Sequence, residues 1–153
     1  MDRIKKLFNN NLVIADVQLG CAGIDNQGAK ILAKYLKTNT NVSNLNLRVN
    51  QIGNEGTQAL AEALQINTSI TKLDLESNLI GIQSAEALSK ALQINTHLTC
   101  LDLRNNRIDD RKVHFLAEGL KTNATLTILD LFDNLIGVVG AHALADAIKM
   151  NAA

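Results

Sequence analysis

Few residues in this 153-residue chain have the types and spacing that catalysis or metal binding requires. Its three histidines, His97, His114 and His142, are spread along the sequence, and His114 shares a predicted helix face only with Glu118. A zinc site needs three or four converging ligands, so this single pair predicts none. No histidine falls in the predicted surface column of Cys100, where it could activate the thiol as a nucleophile. The sequence therefore predicts no catalytic residue and no metal site.

Phosphate and nucleic-acid binding have no better support. The segment Gly53–Gly56 is followed by Thr57 and lacks the lysine of a phosphate-binding loop. Fifteen basic residues balance fifteen acidic ones, and no basic run is longer than Lys5-Lys6. Aromatic residues make up 3% of the chain, which leaves few platforms for stacking bases. We expect no nucleic-acid partner and no cofactor.

Membrane insertion and secretion are also disfavoured. The chain has no run of about eighteen apolar residues, so we expect no membrane-spanning helix and no membrane partner. Leu19–Cys21 is similar to a lipoprotein cleavage site, but Asp16 and Gln18 interrupt the preceding apolar stretch. Cys21 and Cys100 are too few for a disulfide framework. These features predict a cytoplasmic protein with free thiols.

Internal repetition is the dominant signal. From Ile14 onward the chain divides into five blocks of 28 residues: 14–41, 42–69, 70–97, 98–125 and 126–153. The second block shows the recurring anchors, which are Val42, Leu45, Leu47, Asn50 and Ile52. The next three blocks repeat the pattern L-x-x-L-x-L-x-x-N-x-I. The first block has Ala22 in place of the asparagine, as is typical of a terminal unit.

Each block changes from a strand pattern to a helix pattern. Apolar and polar residues alternate around Leu47, which favours a short strand with one buried face. We expect the strands to be centred near Leu19, Leu47, Leu75, Leu103 and Leu131. Asn50 follows the strand, where its amide can satisfy backbone groups at the turn. Ala59, Leu60 and Leu64 then form one helical stripe, and the helix ends near Asn67, a residue type that tolerates helix C-terminal geometry.

This motif resembles the leucine-rich repeat family, and the 28-residue period with a helical second half is similar to its ribonuclease-inhibitor subtype. The resemblance covers residues 14–153. It implies an α/β solenoid in the form of a short horseshoe arc, with parallel strands on the concave side and helices on the convex side. We expect residues 1–13 to be an N-terminal capping helix segment on one continuous repeat domain. The last repeat has no dedicated cap, which leaves self-association through that end open.

The strands project regular columns of side chains on the concave face, where we expect the partner to bind. The candidate binding residues are Arg48, Lys72, Asp74, Glu76, Cys100, Asp102, Arg104, Ile128, Asp130 and Phe132. Arg48, Glu76 and Arg104 are expected to form a ladder of alternating charge, either as plain surface ion pairs or as partner contacts. The aspartate column is either ordinary repeat consensus or an acidic strip for a basic partner. Ile128 and Phe132 are either apolar anchors or residues that would pack on a further strand.

These expectations favour a non-catalytic protein-interaction module. In the family that the chain resembles, cytoplasmic members inhibit enzymes, act as sensors, activate small GTPases or act as pathogen effectors inside host cells. An effector in the host cytoplasm is therefore one possibility. Two alternatives remain open, namely a GTPase-activating fragment and the substrate-recognition part of a larger enzyme. The fold that the sequence predicts does not identify the partner.

Overall fold

Five short strands alternate with five helices along residues 14–151, the part of the chain that the computed structural model describes. The strands are β1 Asp16–Gln18, β2 Asn44–Asn46, β3 Lys72–Asp74, β4 Cys100–Asp102 and β5 Ile128–Asp130. The helices are α1 Asn26–Leu36, α2 Asn54–Leu64, α3 Ile82–Ile94, α4 Asp110–Leu120 and α5 Val138–Asn151. The expected capping segment, residues 1–13, lies outside the described residues and stays a prediction.

The strands form one parallel sheet in the order β1-β2-β3-β4-β5. Its register places Leu45 opposite Leu73 and Leu73 opposite Leu101, so that paired residues are one repeat apart. The expected strand centres were wrong by two residues, since β2 is centred on Leu45 rather than Leu47. The ladder nevertheless continues past the strand, because the Leu47 N–H donates to the Asp74 carbonyl oxygen at 2.9 Å.

The different widths of strands and helices curve the stack into an arc. Neighbouring parallel strands lie about 4.8 Å apart, whereas packed helices need roughly 8–10 Å. The strands therefore line the concave side and the helices the convex side, and the core fills the space between them. Leu47, Leu75 and Leu103, which follow the strands, and Leu60 and Leu88 of the helices are buried there. This confirms the leucine-rich-repeat solenoid that the sequence predicts.

The asparagine after each strand from β2 to β5 braces adjacent repeats. Asn106, only 3% exposed, is the most buried of these asparagines. Its Nδ2 donates to the carbonyl oxygens of Leu75 at 2.9 Å, Arg104 at 3.0 Å and Leu103 at 3.2 Å. Its Oδ1 accepts from the Asn78 N–H at 3.0 Å. The prediction that this amide satisfies backbone groups at the turn is confirmed.

A second asparagine column, at the ends of the helices, has a role that differs from the expected one. Asn95 has an extended backbone, with ψ of 129°, so it does not provide a left-handed helix end. Its Nδ2 donates to the Leu64 carbonyl oxygen at 2.7 Å in the preceding repeat. Its Oδ1 accepts from the N–H groups of His97 at 2.9 Å and Leu98 at 2.7 Å. The amide thus fixes the path from each helix into the next strand.

Most helices after the first are capped by a residue of the preceding helix. Asn26 Oδ1 accepts from the Gly53 N–H at 2.7 Å and the Gly56 N–H at 3.1 Å, at the start of α2. A Cβ atom on Gly56 would lie 2.8 Å from this same oxygen, so the Asn26 side chain would have to shift to admit one. Helix α4 is the exception, because Asp109 caps it from its own repeat by accepting from the Lys112 N–H at 3.0 Å. Within residues 14–151, none of the helices combines the length and apolarity that crossing a bilayer would need.

Candidate protein-interaction surface

The parallel register brings most of the predicted binding residues side by side on the concave face. One row across β3, β4 and β5 contains Lys72, Cys100 and Ile128. The next row contains Asp74, Asp102 and Asp130. The third row lies two residues beyond the aspartates and contains Arg48, Glu76, Arg104 and Phe132. The structure therefore assembles one continuous surface from residues that are far apart in sequence.

Arg104 is the centre of an ion-pair cluster. Its Nη2 atom lies 2.6 Å from Asp102 Oδ2 and 3.0 Å from Glu76 Oε2. Its Nε atom lies 3.5 Å from Asp130 Oδ2. Hydrogen bonding to Asp102 and the charges of the surrounding carboxylates raise the pKa of Arg104 further above its ordinary value. One guanidinium thus offsets much of the repulsion expected in this part of the aspartate column.

The charge ladder predicted from the sequence is only half formed. Glu76 pairs with Arg104, but Arg48 makes no ion pair with any residue between 14 and 151. Its aliphatic stem lies over Gly20 of the preceding repeat, where a Cβ atom would come within 2.9 Å of Arg48 Cγ. The missing side chain at Gly20 leaves room for the arginine, which extends away from Glu76.

The aspartates also shape the chain at the ends of the strands. Asp74 Oδ1 accepts from the Glu76 N–H at 2.9 Å, and Asp102 and Asp130 make the equivalent bond two residues onward. Asn46 makes it in the second repeat, so the bond does not depend on charge. Burial, followed by the nearby carboxylates, raises the pKa of Asp74 despite that bond. The column therefore has a structural role at the strand ends, in addition to its contacts with Arg104.

Carboxylate oxygen atoms of Asp74, Glu76 and Asp102 lie within 4.8 Å of one another, close enough to share a cation. The Arg104 guanidinium already contacts two of these three residues, Glu76 and Asp102. The charge of the cluster is thus met in large part by a side chain of the protein. Among the described residues this cluster gives no reason to infer a metal.

The two cysteines are unpaired, as expected. Cys21 is exposed and Cys100 is half-buried on β4. Burial, with Asp102 as the next cause, raises the pKa of the Cys100 thiol. A raised pKa disfavours the thiolate, which is the nucleophilic form. The surroundings of Cys100 therefore favour its neutral thiol form.

Apolar side chains lie at one end of the charged cluster. Phe132 is 76% exposed and Ile128 is 56% exposed, next to Asp130 on β5. Sequence reasoning missed three further exposed apolar residues on the rim just after the strands, namely Val49, Leu79 and Leu135. Val49 has a φ of +53°, which is unusual for a β-branched residue. Their signal in the sequence is an apolar residue at a repeat position where other repeats have polar ones.

Comparisons with known proteins agree with this architecture. A family model described as Leucine Rich repeat matches residues 38–61, 67–89, 95–111 and 122–145. A solved structure titled as the leiomodin-1 actin-binding site 2 is similar, with a TM-score of 0.78 and 22% identity, covering 99% of this chain and 88% of that one. The tropomodulin C-terminal domain of Caenorhabditis elegans gives a TM-score of 0.77 and 14% identity, covering 99% of this chain and 92% of that one. Comparison with curated protein sequences gave no match.

Proposed function

The chain belongs to the leucine-rich repeat family, and on that basis we propose that it is a non-catalytic module that binds a partner protein on its concave face. The solenoid and the match to the repeat family support a protein-interaction role. The period of 28 residues further favours the ribonuclease-inhibitor-like form of the repeat and one continuous domain over residues 14–153. The free thiols favour the cytoplasm, which for a delivered effector would be that of a host cell.

The exposure of Phe132 and Ile128 beside the acidic cluster is the observation that carries this proposal. Large apolar side chains on a surface rimmed by charge are typical of binding anchors. Between Lys72 and Phe132 the face has four carboxylates. Arg104 lies closest to two of them, those of Glu76 and Asp102. Lys72 supplies the other cation. The surface is therefore net acidic, and it suits a partner segment that carries basic and apolar residues together.

Actin is the first protein to test. The similar leiomodin-1 structure is titled as an actin-binding site, although its 22% identity to this chain establishes the fold alone. A purified candidate is preferable to an extract here because affinity and association rate can both be measured. Affinity capture from cytosol supplies the next candidates in the case that actin does not bind.

Substitutions on the concave face test the proposal directly. Replacing Phe132 by alanine should weaken binding about 30-fold, corresponding to about 2 kcal/mol for a central anchor. Asn replacements at Asp102 and Asp130 should slow association and flatten its dependence on salt, because they lower the net negative charge of the face that steers the encounter. Surface plasmon resonance at several salt concentrations measures both effects.

Convex-face variants provide matched controls. Glu62→Gln and Lys90→Gln each remove one exposed charge from a helix and should leave binding unchanged. A partner that keeps its affinity for the concave variants but loses it with these two would contradict the concave site. Circular dichroism of each variant shows that the fold is retained.

A further inference from the structure

A groove on the convex side, between α4 and α5, differs from the groove between α2 and α3. It has a volume of about 360 Å³, at the lower end of the range for small binding sites. Its lining is mostly apolar and consists of Asp110, Arg111, His114, Phe115, Val139 and Ala143. It lies on the helical side of the arc, away from Phe132 and the concave face.

The groove between α2 and α3 shows what the repeat pattern gives elsewhere. It has a similar volume of about 350 Å³ but is lined mainly by glutamine, glutamate and lysine side chains. Two positions contribute to the difference. Phe115 stands where the second and third repeats have Ala59 and Ala87. Val139 stands where the third repeat has Gln83.

The exposure of Val139 follows from its place in the repeat, which is on the side of α5 that faces α4. Val139 is 71% exposed. The equivalent residues of earlier repeats contact the preceding helix, since Gln83 accepts from Asn54 Nδ2 and Glu55 pairs with Lys30. Val139 likewise faces α4. The apolar surface of this groove is therefore exposed within the stack itself.

Two cations accompany this groove: Arg111, in the first turn of α4, lines it, and Arg107 lies in the loop before that helix. Asp109 and Asp110 use their carboxylates internally, and Asp110 Oδ1 accepts from the N–H groups of Gly137 at 2.6 Å and Gly140 at 3.0 Å. Arg107 and Arg111 are exposed, and neither side chain forms an ion pair within the described part of the chain. The two acidic side chains are thus occupied by helix starts, while the two guanidinium groups remain available.

We propose that this groove is a second docking site, for a peptide segment that carries a large apolar side chain next to acidic residues. The apolar residue packs against Phe115 and Val139, and the carboxylates meet Arg107 and Arg111. This chemistry is opposite in charge to that of the partner proposed for the concave face. The two sites can therefore hold different segments, either of one partner or of two.

Selection from a displayed library of random dodecapeptides tests the site. The bait is the full chain, and the counter-selection uses the variant Arg107→Gln, Arg111→Gln, Phe115→Ala, Val139→Gln. Each replacement occurs at the same position of another repeat, as in Gln51, Gln27, Ala59 and Gln83, so the variant should fold. Peptides enriched on the wild type should combine aspartate or glutamate with leucine, phenylalanine or tryptophan. No enrichment, or enrichment of basic or purely apolar peptides, would overturn the proposal.

Fluorescence anisotropy with a selected peptide then measures how much the apolar and the basic residues of the groove each contribute to binding. Val139→Gln alone, an exposed change with no expected effect on stability, should raise the Kd at least tenfold. Arg107→Gln with Arg111→Gln should weaken binding at low salt and flatten its salt dependence. Phe132→Ala should leave this Kd unchanged, which distinguishes the groove from the concave site. An unchanged Kd for Val139→Gln would contradict the site. A second contrary result would be that the wild type binds phosphatidylserine vesicles and the quadruple variant does not, because the groove would then bind a lipid surface rather than a peptide.

Discussion

The carboxylate of Asp74 stabilises a strand end through one oxygen atom but gains little from its charge. Burial is the largest cause of its raised pKa, and Asp102 and Glu76 add to it. The folded state thus holds this proton more tightly than the unfolded state. Stability associated with the protonated form is present at low pH and is lost as the pH rises through the pKa of the folded state. At neutral pH the ionised side chain is therefore a small net cost.

We expect Asp74→Asn to raise the free energy of unfolding at about pH 7 by up to about 1 kcal/mol, the scale for partly exposed charges. The amide should keep the bond to the Glu76 N–H, as Asn46 does with Arg48 at 3.0 Å in the second repeat. The gain should vanish as the pH is lowered below the ordinary pKa of aspartate, where Asp74 is neutral in both states. Urea denaturation at a series of pH values measures this. Equal or lower stability of the variant at neutral pH would show that Arg104 already compensates the charge.

The shared face of the ten candidate residues was predictable from the sequence, but their pairings were not. A period of 28 residues fixes which side chains share a face, so all ten predicted residues could be placed before the structure. It does not fix rotamers. The three acidic contacts of Arg104 and the position of Arg48 over Gly20 depend on local space, which no single-residue pattern encodes.

At the scale of elements, capping across repeats links the start of one helix to the next. Replacing Asn26 by alanine should cost about 1 kcal/mol, because the N–H groups of Gly53 and Gly56 at the start of α2 lose their acceptor. Asn26→Asp is the matched control, since Asp110 makes the same contacts at the start of α5. Chemical denaturation of both variants measures the difference. Equal losses for alanine and aspartate would mean that packing, not the acceptor, is what matters.

The alternation of strand and helix patterns predicted every element between residues 14 and 151. It did not predict these caps, because Asn26 and Gly53 are almost one full repeat apart, outside any local window. The same limit applies to Asn95, whose partners include Leu64 in the preceding repeat. The local preference of asparagine indicated a helix end at Asn95, whereas contacts with the preceding repeat determine what this residue does.

Across the whole molecule, each repeat packs on its sequence neighbours, so different functions can lie on different parts of one arc. The helix contacts join α1 to α2, α2 to α3, α3 to α4 and α4 to α5. In each repeat the core lies between the strand and the helix, and exposed residues such as Phe132 on one face and Val139 on the other lie outside it. An acidic concave surface and a groove flanked by Arg107 and Arg111 can therefore coexist without mutual constraint.

The same linear stacking predicts a gradient of local stability. In α3 six residues are buried, whereas in α5 only Gly140 and Ala147 are. We therefore expect amide hydrogen exchange in the 153-residue chain to be slowest in α2, α3 and α4 and fastest, among the helices described, in α5.

A pair of matched substitutions tests the gradient independently. Leu88 and Leu144 occupy the same helix position, but Leu88 is buried and Leu144 is only partly so. Leu88→Ala should cost about 2–5 kcal/mol and accelerate exchange throughout the stack, since it opens a cavity at the centre. Leu144→Ala should cost less and should accelerate exchange mainly in α5, where fewer contacts depend on it. Equal protection of α3 and α5 amides, with equal costs for the two substitutions, would show that the repeats unfold as one cooperative unit rather than from the last repeat inward.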